Sequence, residues 1–222
     1  MDKLVRKIEV PLAKRAIERA GLYIVQEKDL ERLAEVAADA YRDYPLHNWL
    51  TNGKYDKIAS KLIMQISLKT MTEDAVIYAD SEQINGFAAW LPFGFTGNKT
   101  IPFLVNGGLR LIMHSGLGII GRLLTYETYA MNLKKEFTDN YDWYLYNLSI
   151  KKDAQGKGIA SKLMRPMLGF CDDEKMVAYL ETNKETNVGM YQHYGFALMK
   201  EELIPKTPVT HYAMVRNPKN ET

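Results

Sequence analysis

The sequence has little from which a disulfide or a metal centre could be built. It holds one cysteine, Cys171, so no internal disulfide can form and no zinc site can be founded on cysteine. Its four histidines show no metal-ligand spacing, so we expect no metal ion. The functions left open are those that need neither a disulfide framework nor a metal.

Excess charge and long apolar runs are also missing. Lys plus Arg is 29 and Asp plus Glu is 27, and a formal net charge of +2 gives no electrostatic reason to expect nucleic acid or an anionic membrane as the main partner. The longest uncharged run of the most apolar stretch, residues 111–121, is too short to cross a bilayer. Residues 1–21 lack the apolar core of a signal peptide. We therefore expect a soluble, cytoplasmic protein.

No internal repeat, low-complexity tract or Pro/Ser-rich linker divides the chain, so we predict one domain over residues 1–222. Apolar spacing and turn residues predict the following elements. The strands are 22–26, 75–79, 86–91, 143–150, 176–180, 196–203 and 211–215, and the helices are 3–20, 29–41, 54–71, 158–170 and 187–194. Residues 99–137 are expected to be mostly helical with glycine breaks. This order predicts an α/β fold whose mixed central sheet is antiparallel at its ends and parallel at the strand–helix–strand unit.

Two local signals refine the helix boundaries. Asp29 is a suitable N-cap for the helix over residues 29–41. Pro166 lies inside the helix over residues 158–170 and is expected to kink it or to end it early.

The chemically informative segment is KKDAQGKGIAS, residues 151–161, between a predicted strand and a predicted helix. Gly156 and Gly158 let the backbone turn tightly and present successive N–H groups, to which the helix dipole adds its positive end. Basic residues surround the same turn, namely Lys151, Lys152, Lys157, Lys162 and Arg165. The segment predicts a phosphate-bearing ligand, although the pattern alone leaves open an ordinary glycine-containing turn before a helix.

Two common phosphate-binding motifs do not fit this segment. A P-loop needs a glycine five residues before a GK[ST] unit, but Lys151 stands at the glycine position and Gly158 follows Lys157. A dinucleotide-binding fingerprint needs a third glycine where Ser161 stands.

The run Gln155-Gly156-Lys157-Gly158-Ile159-Ala160 fits the signature Q/R-x-x-G-x-G/A, and in this the chain resembles the GNAT acetyltransferases, which bind acetyl-CoA. Downstream, LETNKETNVGMYQHYGF (residues 180–196) resembles the second CoA-binding segment of that family. It is similar in particular to the puromycin N-acetyltransferase-like branch, as are Trp90-Leu91-Pro92 and Pro166. The strong similarity covers residues 144–215, whereas the first 140 residues match only in general layout.

The resemblance implies a GNAT-like mixed sheet with a splayed strand pair, flanked by helices. Residues 1–140 would form the acceptor side with a helical insert at 99–137, and residues 141–216 the acetyl-CoA-binding half. The strand before the glycine turn would pair with the pantetheine arm, and the turn would hold the pyrophosphate. The implied cofactor-binding residues are Leu148, Ser149, Ile150, Gln155, Gly156, Lys157, Gly158, Ile159, Ala160, Ser161, Asn187 and Tyr191.

Two residues are candidates for catalysis. The resemblance implies that Tyr191 donates a proton to the departing thiolate. Glu181 follows the strand opposite the splay and could deprotonate the incoming amine directly or through water, since an ammonium must lose a proton before it can attack. Each has an alternative, because Tyr191 could be a half-buried aromatic and Glu181 a surface or salt-bridged glutamate. Asn187 could be only the N-cap of its helix.

The acceptor side carries weaker signals. His47 and His114 are candidates for a site role, but a lone histidine is usually structural. Residues 106–121 could form a lid, although glycines inside helices favour close packing instead. A pocket could be lined by aromatic side chains that could equally be core, namely Tyr41, Tyr44, Trp49, Trp90 and Phe93.

The resemblance implies an N-acetyltransferase that moves the acetyl group of acetyl-CoA to a primary amine of a small molecule. Direct attack in a ternary complex is expected, because acidic neighbours of Cys171 disfavour a thiolate and hence an acyl-enzyme. The alternatives are a non-catalytic acyl-CoA-binding module and a protein or peptide acetyltransferase. We expect a monomer or a homodimer in each of these cases.

Overall fold

The computed structural model describes residues 2–72, 74–92, 103–137 and 143–219, with side chains from Glu9 onward. The strands are β1 (Tyr23–Ile24), β2 (Val76–Ala79), β3 (Gly86–Pro92), β4 (Trp143–Ile150), β5 (Ala178–Thr182), β6 (Ala197–Leu203) and β7 (Thr210–Arg216). The α-helices are α1 (Asp2–Arg19), α2 (Leu30–Ala40), α3 (Pro45–Leu50), α4 (Lys57–Met71), α5 (Leu109–Ser115), α6 (Gly118–Phe137), α7 (Ile159–Asp173) and α8 (Glu185–His193). Short 3-10 helices span Glu27–Asp29 and Lys152–Ala154, and a π-helical turn spans Leu104–Gly108.

The strands form one mixed sheet in the order β1-β2-β3-β4-β5-β7-β6. Only β4 and β5 pair in parallel among the described strands, and α7 connects them. The other neighbours pair antiparallel. The predicted mixed α/β fold is therefore confirmed, including the parallel crossover and the hairpin of β2 and β3.

Helices cover both faces of the sheet. On one face, apolar residues of α1 and α7 pack on fully buried Trp90 and Trp143. On the other face, α2 and α4 pack on β2 and β3 through side chains such as Leu33 and Leu68. Helix α4 starts where the Asp56 carboxylate accepts hydrogen bonds from the backbone N–H groups of the first turn.

The parallel strands β4 and β5 separate after a short paired segment. Their register runs from Trp143 opposite Ala178 to Leu145 opposite Leu180, and β4 then continues to Ile150 without β5 beside it. This gap is the predicted splay. It leaves one edge of β4 free for another extended chain.

A β-bulge lies where the splay begins. Ala89 and Trp90 are neighbours in β3, but their partners Asn147 and Leu145 are separated by Tyr146. Side-chain alternation restarts after this extra residue. Tyr144, Tyr146 and Asn147 consequently point to the same face of the sheet, which a regular strand would not allow.

Several local expectations need correction. The Asp29 carboxylate does not cap α2, because it accepts hydrogen bonds from the Tyr23 hydroxyl at 2.8 Å and from the Gln26 N–H at 3.0 Å. The early end at Pro166 is wrong, since α7 continues to Asp173. Helix α3 was not predicted; Pro45 occupies its first turn, a position that needs no N–H donor.

The segment from 103 to 137 is helical with glycine breaks, as expected. Gly107 and Gly116 have φ angles of 123° and 74°, which the helix cannot accommodate. The remainder of the predicted segment, residues 99–102, lies outside the described residues. None of the helices in the described ranges is long and apolar enough to span a membrane.

Candidate active site

The splayed end of β4 presents backbone groups to the gap. Lys151 N–H donates to the Asn85 carbonyl at 2.9 Å. Since every second residue of β4 hydrogen-bonds to β3, this bond shows which residues of β4 face β3 and which face away from it. By that alternation the backbone groups of Leu148 and Ile150 face the gap, whereas those of Ser149 face β3. The Ile150 carbonyl accepts a hydrogen bond from Gln155 Nε2 at 3.1 Å. Leu148 thus keeps both a donor and an acceptor facing the gap.

The turn after β4 has the geometry of an anion-binding loop. Gly156 and Gly158 have φ angles of 76° and 79°, and a Cβ built on either would meet no atom within 4 Å. The first N–H groups of α7 have no intrahelical partner, as in any helix, and the N-cap Gly158 has no side chain that could accept a hydrogen bond from them. Open space, exposed donors and the helix dipole together suit a phosphate group.

The basic residues near this turn differ in their availability. Lys162 Nζ donates to the Asp80 carbonyl at 2.7 Å, and Lys152 pairs with Asp43. Lys157 is exposed on the turn itself. Fewer of these basic side chains are available to a ligand than their positions in the sequence suggested.

Helix α8 brings Asn187 and Tyr191 toward the end of β5. Asn187 Nδ2 donates to Thr182 Oγ1 at 3.1 Å, and the N-cap of α8 is Lys184, so the N-cap alternative for Asn187 is wrong. The Tyr191 ring is 6% exposed, and its centroid lies 6.0 Å from that of Phe196.

The Tyr191 phenol is held in its protonated form. Burial raises its pKa well above the ordinary value, and the neighbouring phenols Tyr44 and Tyr41 raise it further. A protonated phenol can donate a proton to a developing anion. On the other side of α8, Ser161 Oγ lies 2.9 Å from the Tyr194 hydroxyl, which ties this helix to the start of α7.

Glu181, the next-to-last residue of β5, is a buried carboxylate with phenol donors. Its side chain is 3% exposed. The Tyr179 hydroxyl donates to Oε1 at 2.8 Å, and the Tyr144 hydroxyl donates to Oε2 at 3.2 Å. Burial, with the charge of Glu127 adding to it, raises the pKa of Glu181 to about 7 despite the Tyr179 hydrogen bond, which lowers it. Near neutral pH this carboxylate can accept a proton.

Residues around Glu181 that the sequence did not single out come from α6, β4 and β7. They are Tyr126, Glu127, Tyr144, Tyr146 and His211. His211 Nε2 lies 3.8 Å from Glu181 Oε2, but burial lowers the pKa of this imidazole to about 4, so it is neutral at pH 7. The alternating tyrosines of WYLYN (residues 143–147) were the one local signal that a face of this strand carries hydroxyl groups.

Of the weaker candidates, the two histidines have structural partners. His47 Nδ1 lies 2.9 Å from Ser60 Oγ, the ring stacks on Tyr41 with centroids 4.1 Å apart, and burial lowers its pKa to about 3. His114 Nε2 lies 2.8 Å from Asp56 Oδ2, beside the α4 cap. Both contacts hold helices together.

The predicted aromatic residues divide between the end of β5 and the core. Tyr44 accepts a hydrogen bond from the Asn183 N–H at 2.8 Å and lies 3.1 Å from Thr182 Oγ1, which places it at the end of β5. Trp90 is fully buried and donates to the Tyr78 hydroxyl at 3.0 Å, so it belongs to the core. Trp49 packs in a cluster with α4 and α6. Phe93 lies outside the described residues.

Comparison with known proteins identifies the family. The acetyltransferase (GNAT) domain matches residues 72–198, more than half of the chain, and the chain belongs to this family. It is an acetyltransferase, and the co-substrate of its family is acetyl-CoA. The matched region contains the splay, the glycine turn and Glu181.

Relatives and solved structures agree with this assignment. An uncharacterized N-acetyltransferase of Schizosaccharomyces pombe is 24% identical over 219 residues, covering 89% of this chain and 83% of the relative. The fold is similar to that of a Corynebacterium glutamicum protein described as histone acetyltransferase HPA2 and related acetyltransferase, with a TM-score of 0.61, 18% identity and coverage of 90% and 97%. It is also similar to arylalkylamine N-acetyltransferase 2 of Aedes aegypti, with a TM-score of 0.56, 19% identity and coverage of 89% and 98%.

Proposed function

We propose that the protein transfers the acetyl group of acetyl-CoA to a primary amine of a small molecule, by direct attack in a ternary complex. The observation that carries this proposal is Glu181, a buried carboxylate at the splay whose pKa is about 7. An amine is protonated at neutral pH and must lose a proton before it can attack a thioester. A carboxylate with this pKa can take that proton.

The cofactor would lie across the splay and the glycine turn. The pyrophosphate would bind the N–H groups from Gln155 to Ser161, in front of open space. The pantetheine arm would pair with the free edge of β4 at Leu148 and Ile150. A backbone N–H at the splay would then face the thioester carbonyl, where negative charge develops during attack.

Glu181 and Tyr191 would carry out the proton transfers of the reaction. Glu181 takes a proton from the ammonium, and the free amine nitrogen attacks the acetyl carbon. The C–N bond forms, the C–S bond breaks, and Tyr191 gives its proton to the departing sulfur. The second proton that the nitrogen loses on becoming an amide then restores the Tyr191 phenol. The products are an N-acetyl amine and CoA with a free thiol.

The enclosure of Glu181 supports a small acceptor over a protein surface. Helix α6 lies against this part of the sheet, with the Tyr129 ring 5.2 Å from the His211 ring and its hydroxyl donating to Glu202 at 2.5 Å. In this proposal the amine reaches Glu181 beneath this helix. By their names, one similar structure acts on arylalkylamines and another on histones, so the fold alone does not decide between acceptors. The resemblance of residues 180–196 to the puromycin N-acetyltransferase-like branch also favours a small acceptor.

Calorimetric titration and thiol release test this function. We expect the purified protein to bind acetyl-CoA at micromolar concentration and to bind neither NAD nor ATP. Alkylamines should then release free CoA thiol, and lysine-containing peptides should release much less. Binding without turnover of any acceptor would favour the non-catalytic module, and faster turnover of peptides would favour a protein acetyltransferase. Absence of acetyl-CoA binding would contradict the enzyme assignment itself.

A further inference from the structure

Helix α6 directs a second carboxylate, Glu127, toward the splay. Lys134 Nζ lies 4.8 Å above the Tyr144 ring, and Glu127 lies seven residues earlier on the same face of α6. Tyr144 and Tyr146 are neighbours on one face of β4, with ring centroids 5.9 Å apart. Glu127 precedes Lys134 by two helical turns, and its charge raises the pKa of Tyr146, the bulged residue.

Glu127 acts electrically on Glu181 and the tyrosines around it, and no ion pair balances its charge in the part of the chain that the structure describes. It is half-buried, and burial raises its pKa. Its charge raises the pKa values of Glu181, Tyr126 and Tyr146, so the group lies near all three. Within the described residues, it makes no hydrogen bond or ion pair. A half-buried carboxylate without a partner is costly unless a ligand supplies the counter-charge.

A separate observation also points to a donor-rich ligand. Asn147, on the same face just beyond the bulge, is 3% exposed, and its Nδ2 donates to the Tyr41 hydroxyl. Its Oδ1 is buried and has no partner among the described residues. With Glu181 and Glu127, this oxygen makes a set of acceptors. Such a set matches a ligand whose polar groups are all N–H donors.

We propose that the acceptor is a diamine and that Glu127 binds the ammonium group that does not react. This inference rests on the proposed function. Glu181 loses its charge when it takes the proton of the reacting amine, whereas Glu127 keeps its charge and needs a second cation. The rings of Tyr126 and Tyr146 add faces on which an ammonium can lie. An acceptor bearing a carboxylate would place a like charge beside Glu127 and is disfavoured.

The test compares α,ω-diamines of three to six carbons with the monoamines of equal length, using acetyl-CoA-dependent thiol release. For the wild type we expect kcat/KM to be at least about tenfold higher for the preferred diamine than for its monoamine. In Glu127→Gln, KM for that diamine should rise by about 10- to 100-fold. Removing the charge of Glu127 also lowers the pKa of Glu181, so the proteins are compared at pH 8.5, above that pKa. At this pH kcat should stay within about threefold, and the KM for the monoamine should not rise with that for the diamine.

Glu136→Gln is the matched control. Glu136 lies on the same helix, is 53% exposed and pairs with Lys200 at 3.3 Å, outside the pocket. This variant removes the same charge and should leave the diamine preference unchanged. Acetyl-CoA affinity should be equal in all three proteins, which shows that the cofactor half remains folded.

Two outcomes would overturn the proposal. A wild type that uses diamines and monoamines equally would refute diamine recognition, while its monoamine turnover would leave the proposed function standing. A preference that persists in Glu127→Gln would refute the role of this residue. Absence of thiol release with every amine and peptide would instead remove the proposed function, and this inference with it.

Discussion

The two ends of the candidate active site are built in opposite ways. At the glycine turn the ligand-facing groups are backbone N–H donors in open space, and residues 155–158 are exposed. At Glu181 the facing groups are side chains of four elements, and the carboxylate is buried beneath α6. The exposed end depends on chain geometry and suits a charged, hydrated phosphate. The buried end depends on desolvation, which brings the pKa of a carboxylate close to neutral pH.

This comparison predicts that the largest loss of rate follows a change at the buried end. In Glu181→Gln we expect kcat to fall by about 10³-fold at pH 7, because the amide keeps the shape of the carboxylate but cannot accept a proton. Thiol release with an alkylamine and saturating acetyl-CoA measures this loss. The affinity for acetyl-CoA should remain within about twofold, and a variant with wild-type kcat would exclude Glu181 as the base.

Tyr191→Phe should have the next largest effect. It removes one hydroxyl from a buried ring that packs on Phe196, so the fold and cofactor affinity should be retained. Without the proton donor, kcat should fall by about 10²-fold. Steady-state kinetics and calorimetry on the same preparation separate the two quantities. An unchanged kcat would show that Tyr191 is not the proton donor and serves only in packing.

At the exposed end, Gly158→Ala should act on binding. The φ angle of 79° is strained for alanine by about 1–2 kcal/mol, although the added Cβ meets no atom within 4 Å. We expect the Kd for acetyl-CoA to rise by about tenfold, with kcat at saturating acetyl-CoA nearly unchanged. Titration calorimetry measures the first quantity.

Gly121→Ala provides the control for this substitution. Gly121 lies inside α6, where a Cβ also meets no atom within 4 Å, but its φ angle is not positive. Alanine should there stabilise the fold by about 0.5–1 kcal/mol and leave the Kd unchanged. If both variants bind acetyl-CoA like the wild type, the turn does not hold the pyrophosphate.

The smallest expected effect is the pH dependence of stability. Burial raises the pKa of Glu181 from 4.5 to about 7, so the native state binds this proton more tightly than the unfolded state. Its contribution to stability is fully present below about pH 4.5 and is lost as pH rises through about 7. Relative to Glu181→Gln, the wild type should therefore lose on the order of 2 kcal/mol between pH 5 and pH 8. Urea unfolding at both pH values measures this, and a pH-independent difference would contradict it.

The same contrast explains what the sequence could predict. Gly156 and Gly158 are neighbours in the chain, and their effect on the backbone is local, so the turn was recognisable from residues 155–160. The strands and most helices followed from apolar spacing for the same reason. Helix α3 is only one and a half turns long, too short for a periodic pattern to be visible.

The surroundings of Glu181 depend on contacts between elements that are distant in the chain, which local patterns do not encode. Glu127 and Glu181 come together only because α6 folds back over β4 and β5. The bulge at Tyr146, which turns Tyr146 and Asn147 to one face, has no residue signature of its own. The resemblance to a family made Tyr191 a candidate through its flanking residues, and Glu181 was a candidate because it follows the strand opposite the splay. The resemblance gave no information on α6, because it is only general in that part of the chain.

The pH profile of kcat/KM with 1,4-diaminobutane tests the central claim most directly, namely that a buried carboxylate accepts the proton of an incoming ammonium. We expect a rise with unit slope below about pH 7 and a plateau up to about pH 9, because the ammonium with its pKa of about 10 is then deprotonated on the enzyme. Glu181→Gln should lack the plateau and continue to rise, since only amine already neutral in solution can react. A wild-type profile that rises steadily to pH 9, like that of the variant, would contradict the account.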